Sequence, residues 1–170
     1  MNFEDTHEKP EKIKNLEAPE GPDLESFIEK LGLYQFTKSK DDLKNFYDFA
    51  GPDFIWPSTM DVLERCIVFD YITDHEWSEG DIGKELATNT IAYRRLMESK
   101  TLDPSKGSHI LLVHGKIERY GQQISASEYD EIVGKGFLYA PINETSPEDI
   151  KRKGLCLKPR HIDRYPTLKY

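Results

Sequence analysis

S-H-I-L-L-V-H-G-K-I-E-R-Y-G, residues Ser108 to Gly121, is where the spacing of apolar residues changes along the chain. Ile110 to Val113 is a short apolar run, Lys116 to Tyr120 alternates, and His114-Gly115 stands between them where a two-residue hairpin turn belongs. Such a turn needs positive φ at both central positions, which glycine adopts freely and for which histidine is enriched. The pattern predicts a β-hairpin. It also separates two histidines that look like chemistry. Alternate strand residues face opposite ways, so His109 and His114, an odd number apart, do not converge unless the strand is bulged or His114 has left it. Both are read as structural, one at a strand entrance and one in a turn.

The residues that follow complete a small unit. Ser125 is spaced as a cap with Glu128 three residues on, and Tyr129, Ile132 and Val133 give a short helix its apolar face. Gly134-Lys135-Gly136 stops that helix, and Phe137 to Pro141 reads as a third strand. The order H-G-K-I-E-R-Y-G, helix, F-L-Y-A-P-I resembles a small module of unknown function, some members of which precede retropepsin-like aspartic proteases. That resemblance covers residues 108–142 and implies a strand-strand-helix-strand fold but no activity. The protease signature Asp-Thr/Ser-Gly is absent, Asp81-Ile82-Gly83 having isoleucine where the hydroxyl belongs.

Upstream, over residues 22–100, the spacing is helical. Leu24, Phe27, Ile28 and Leu31 fall on one face behind an Asp23 cap. Ser39 and Asp42 stand in a capping-box arrangement before Leu43, Phe46 and Tyr47, and Gly51-Pro52 ends that helix. From Phe54 to Ile72, Pro57 with Ser58 or Thr59 is the start signal and Met60, Leu63, Ile67 and Tyr71 form a stripe. Val62, Cys66 and Phe69 make other sides apolar too, which predicts the central, most buried helix. The aromatics here are expected in the core.

The two ends differ in charge. Residues 1–30 hold nine carboxylates against four lysines, broken by Pro10, Pro19 and Pro22, so residues 1–21 are expected to be a flexible acidic arm. Residues 143–170 form a basic, extended tail in which Leu157, Ile162, Tyr165 and Leu168 alternate with Arg160, Arg164 and prolines. This tail is too interrupted to build a core and too apolar for an ordinary solvated end. Those six residues are the expected partner-binding set, whether the partner is another protein or a second copy of the chain. The net charge of −8 argues against a surface that clings to nucleic acid or an anionic membrane. No charged-then-apolar leader stands at Met1, and no apolar run reaches the length that spans a bilayer. Cys66 and Cys156 are too few and too far apart for a disulfide framework. These features predict an intracellular protein, cytoplasmic or nuclear.

Ser78 to Lys100 offers the main alternative. Ile82, Gly83, Leu86, Ala87, Tyr93 and Leu96 occupy spacings used by a helix-turn-helix, with the hairpin following as in a winged helix. On that reading Asn89, Thr90, Arg94 and Arg95 face DNA. Against it stand the bulk of Tyr93, the nearby Glu98 and the acidic chain. Asp70, Asp74, His75, Glu76, Glu79 and Asp81 gather at a helix end without the paired-histidine spacing of a zinc face, and no phosphate loop, nucleophile elbow or Cys-x-x-Cys occurs. No metal, cofactor or catalytic residue is assigned, and an enzyme with an unannounced site is the remaining alternative. The expected fold is one α+β domain over residues 22–142, a helical half packed on a hairpin-helix-strand unit. The expected function is a non-catalytic protein-interaction module, an adaptor or a subunit of a larger assembly.

Overall fold

The fold is α+β. The computed structural model describes residues 22–78 and 81–143, so the acidic arm, the tail with its six candidate binding residues, Glu79 and Cys156 lie outside the described residues. The chain divides into two compact units, 1–53 and 54–170. The boundary follows Gly51-Pro52, where Gly51 at φ 87° ends a helix.

In the first unit, helix α1 (Pro22–Leu31) buries Phe27, Ile28 and Leu31. It begins one residue before the expected cap, so Asp23 lies inside the first turn, where its charge opposes the positive end of the helix dipole. Gly32, at φ 69°, turns the chain into a single 3-10 turn, Leu33–Gln35. Helix α2 (Lys40–Ala50) is capped by Ser39, whose Oγ accepts from the Asp42 N–H at 3.3 Å. Only half of the expected box forms, because Thr37 takes the other contacts. Its hydroxyl donates to the Asp42 carboxylate at 3.2 Å and accepts from the Ser39 N–H at 3.0 Å. Phe27 packs edge-on against Tyr47 at 4.9 Å and tilted against Phe46 at 6.4 Å, which joins α1 to α2.

In the second unit, helix α3 (Val62–Thr73) starts later than Pro57 and Ser58-Thr59 suggest. Asp61 is the cap, accepting from the Glu64 N–H at 2.9 Å. Thr59 serves a different purpose: its N–H and hydroxyl both donate to Glu98 Oε2, at 2.9 and 3.0 Å. From Leu63 to Ile72 only Arg65 is not buried, so α3 is the central helix that its all-round apolarity predicts. Trp56, Phe69 and Tyr71 are in the core as expected, while Phe54 is half-buried. A short helix α4 (His75–Ser78) leads to α5 (Ile82–Ser99), which packs on α3. Gly83 makes that crossing close: a Cβ there would collide with the Tyr71 carbonyl oxygen and press on Trp77.

A 3-10 turn (Pro104–Lys106) precedes the sheet. Strands β1 (His109–Val113), β2 (Lys116–Gly121) and β3 (Leu138–Pro141) are antiparallel in the order β2-β1-β3, with helix α6 (Ala126–Gly134) between β2 and β3 in sequence. His114 and Gly115 have φ 54° and 79°, as the hairpin prediction requires. Leu111 pairs with Arg119 but Leu112 with Ile117, so Glu118 is an extra residue, a β-bulge. Ser125 and Glu128 cap α6 reciprocally. Ile110, Leu112, Leu138, Ala140 and Ile142 pack with Tyr93 of α5 into one core, and the Tyr93 hydroxyl donates to the Pro141 carbonyl at 2.5 Å.

Candidate functional site

The two histidines do different things. His109 lies nearly parallel to the Tyr139 ring, 5.3 Å between centroids, with the Ser108 hydroxyl 2.7 Å from its Nδ1. His114 sits at the hairpin turn and is held by Glu85 of α5: its N–H donates to Glu85 Oε2 at 2.6 Å, and its Nδ1 lies 2.8 Å from Oε1. One helical turn on, Asn89 finishes the junction. Its amide donates to Glu85 Oε2 and to the Gly136 carbonyl, both at 2.9 Å, while its oxygen accepts from the Gly115 N–H at 2.7 Å. Two residues at i and i+4 on one face of α5 thus hold both the hairpin turn and the loop before β3. Burial acts to raise the Glu85 carboxyl, but the His114 N–H, the Asn89 amide and the His114 ring outweigh it and hold it below the ordinary carboxylate range. This is a structural lock, and Glu85 was not singled out from sequence.

The helix-turn-helix arrangement is corrected by the same helix. No turn interrupts residues 82–99; α5 runs through them unbroken. Asn89 is 0% exposed and committed to the lock, and Arg94 is 1% exposed. Arg94 Nε donates to Glu64 Oε1 of α3 at 3.0 Å, with Nη2 at 2.8 Å from the same oxygen, so the guanidinium is a core cation rather than a DNA contact. Thr90 donates back to the Leu86 carbonyl at 2.7 Å, as helical threonines do. Arg95 donates to the Ile55 carbonyl at 2.7 Å and lies over the Phe54 ring. All four side chains are therefore engaged within the protein. Helix α3 carries Glu64, Arg65 and Asp70, and the sequence alone does not mark which of them meets a buried cation.

Of the acidic cluster at the end of α3, Glu79 lies outside the described residues. Asp70 is buried, Asp74 accepts from the Glu76 N–H at 2.9 Å, and His75 and Glu76 are exposed. Among the described residues no group of three or more His, Cys, Asp or Glu is arranged to hold a metal. No helix among them is long and apolar enough to cross a membrane.

Two of the open concavities among the described residues are lined by both charged and aromatic side chains. One, of about 320 Å³, lies between the first turn of α6 and the outer sheet face, lined by His109, Ser125, Tyr129, Asp130 and Tyr139. Tyr139 carries the His109 ring and the Arg119 guanidinium and donates to the Gln122 carbonyl, so its polar and aromatic groups are already engaged. The other, of about 450 Å³, lies in the first unit across α1 and α2. Leu24, Ile28 and Leu43 line its apolar part, and Lys38, Lys40 and Lys44 stand along it with Glu25 and Asp41. Tyr34 is 41% exposed and donates to Glu25 Oε2 at 2.8 Å. That hydrogen bond, then partial burial and the Glu25 and Glu29 charges, raise the phenol above its ordinary range, keeping it a donor. Lys38 lies 5.8 Å from the Tyr34 ring centroid. Glu25 keeps its negative charge in that bond, Asp41 adds another, and Lys44 pairs with Asp48 at 3.3 Å, so charges of both signs line the groove. The sequence marks this groove only as the polar edge of two amphipathic helices.

Compared with known proteins, the chain matches no family model, no curated protein and no solved structure.

Proposed function

We propose that the chain is a non-catalytic interaction module, an adaptor or assembly subunit, and that the groove across α1 and α2 receives its partner. The observation that supports this reading is the contrast between the groove and the rest of the described surface. The chemically suggestive side chains, His114, Glu85, Asn89 and Arg94, are tied into the fold. The groove instead sets half-buried Leu24 and an exposed tyrosine among exposed charged side chains of both signs, and its volume falls in the range of roughly 300–1,000 Å³ common for binding clefts. Half-buried Leu24 and the exposed Tyr34 ring offer apolar contact, and Lys38 and Lys40 offer ammonium groups to carboxylates beside it, Lys44 being paired with Asp48. The fitting partner is an acidic amphipathic segment, read by anchors spaced along one face. The basic tail with Leu157, Arg160, Ile162, Arg164, Tyr165 and Leu168 is proposed as a second contact, toward an acidic surface of the same assembly. A photocrosslinking residue in place of Tyr34 tests the groove. Crosslinks to one protein, carried on an acidic peptide and absent with the probe at exposed Ser127, are the expected result; equal yields from both positions would refute the assignment.

A further inference from the structure

A further concavity, of about 290 Å³, lies in the second unit, where the chain leaves the described residues. Leu96 and Met97 come from the last turn of α5, Leu102 and Pro104 from the residues after it, and Ile142 and Asn143 from just past β3. Ile142 is buried, but Leu96, Met97 and Leu102 are only half-buried although they pack against the core of Tyr93, Ile110 and Leu138. This groove is therefore an edge of that core left open. Among the described residues that line it, Lys100 is the one charged side chain, and it is exposed. Asn143 is the last described residue, and the Ile142 N–H donates to the Ser108 carbonyl at 3.0 Å, which fixes the chain at its point of exit.

The sequence that continues from this point is N-E-T-S-P-E-D-I-K-R-K-G-L, Asn143 to Leu155. It carries the signals of a short helix: Ser146 as cap, Pro147 in first position, Glu148 and Asp149 in the first turn, Lys151 to Lys153 in the last, and Gly154 as the stop. With Gly154 in the left-handed conformation, Ile150 and Leu155 occupy the two positions that meet across such a helix end, and they are the apolar residues of an otherwise polar segment. A helix this short does not hold in water, so these signals need a surface to act on. The groove offers one of matching character. Glu144, Glu148 and Asp149 precede the first base, Lys151, and are opposite in sign to Lys100. The later tail, with Lys158, Arg160 and Arg164 among its apolar residues, shares the sign of Lys100. Ile150 is seven residues from Asn143, a reach of up to about 23 Å, and a tether of that length holds it near the groove at an effective concentration on the order of millimolar. We infer that residues 146–155 dock in this groove as a short helix, with Ile150 and Leu155 on Leu96, Met97 and Leu102 and the acidic first turn beside Lys100. The docked segment closes the open edge of the core and gives the basic residues that follow a fixed point of departure. This inference does not depend on the role proposed for the groove across α1 and α2.

Methyl-selective NMR on the full chain tests it. Nuclear Overhauser contacts from the Ile150 methyl to those of Leu96, Met97 or Leu102 are expected, and they should persist on dilution. Ile150→Asp should erase them and move the Leu96, Met97 and Leu102 resonances while leaving those of Leu24 and Leu43 in place. Gly154→Val, which resists the left-handed stop, and Lys100→Glu, which reverses the lining charge, should each weaken the same contacts. Absence of the Ile150 contacts, with the groove resonances unmoved by Ile150→Asp, overturns the inference. So do contacts of undiminished intensity in both the Gly154→Val and the Lys100→Glu chains. Contacts seen only between differently labelled chains in a mixed sample would make the occupant a second copy, and contacts from Ile162 or Leu168 in place of Ile150 would give the groove to the later tail; either result also overturns it.

Discussion

At the scale of single residues, Asn89 matters more than the histidine beside it. The His114 ring is largely exposed, and its contact with Glu85 is a surface one, so His114→Asn, which keeps a side chain tolerant of positive φ, should cost no more than about 1 kcal/mol. Asn89→Leu leaves the Gly115 N–H and the Gly136 carbonyl without their buried partner, and should cost about 2–3 kcal/mol in urea titration. Equal losses from the two variants would mean that the imidazole, not the amide, holds the turn. Acid should act through Glu85. Its carboxyl is held below the ordinary range in the folded state, so its contribution is complete above the unfolded carboxylate pKa of about 4.3 and is lost as pH falls through the lower folded value. Glu85→Gln should therefore flatten the acid limb of the Tm against pH profile. A limb of undiminished slope would locate the acid sensitivity elsewhere, Glu98 being the next carboxylate whose range is lowered.

At the scale of elements, the hairpin was legible and the long helix was misread for an identifiable reason. His114-Gly115 declares its turn through backbone chemistry local to two residues, and Ser125 with Glu128 declares its cap in the same way. Such signals need no tertiary context. In α5 the small residues Gly83 and Ala87 suggest two crossing helices, but the close crossing is with α3 and α4, elements distant in sequence. Periodicity reports that a face is packed, not against what. The start of α3 slipped for a related reason, since Ser58-Thr59 and Asp61 are all competent caps and only the distant Glu98 decides which hydroxyl is engaged. Gly83→Ala, favourable by helix propensity alone, should here destabilise by about 1–3 kcal/mol through overpacking. The Glu64–Arg94 pair gives a sharper check on the α3–α5 contact. Arg94→Ala strands a buried carboxylate and should cost about 3–5 kcal/mol, whereas Glu64→Leu with Arg94→Leu should recover much of that loss. A double variant as unstable as Arg94→Ala would show that volume, not the stranded charge, sets the cost.

At the scale of the whole molecule, the α+β class was readable because the apolar period changes near Ser108, and the division after Asp53 was not. Gly51-Pro52 reads equally well as a loop inside one domain or as a boundary between two units. The groove was hidden for a similar reason, since Leu24, Ile28 and Leu43 read as ordinary helix stripes until α1 and α2 are placed together and Leu24 is left half-buried at its edge. The docking role proposed for it involves charge as well as shape. A site that selects carboxylates around apolar anchors should bind more weakly as salt rises, by a few-fold between about 0.05 and 0.2 M, because exposed charges are screened over roughly 10 Å. An affinity independent of salt would assign recognition to the apolar floor alone. The most direct measurement is the dissociation constant of the partner crosslinked at Tyr34, for the native chain and for the chain carrying Lys38→Glu, Lys40→Glu and Lys44→Glu, with circular dichroism confirming that both are equally helical. The expected result is at least about a tenfold loss of affinity, or 1.4 kcal/mol, on charge reversal. Unchanged affinity in an equally folded variant would contradict the account.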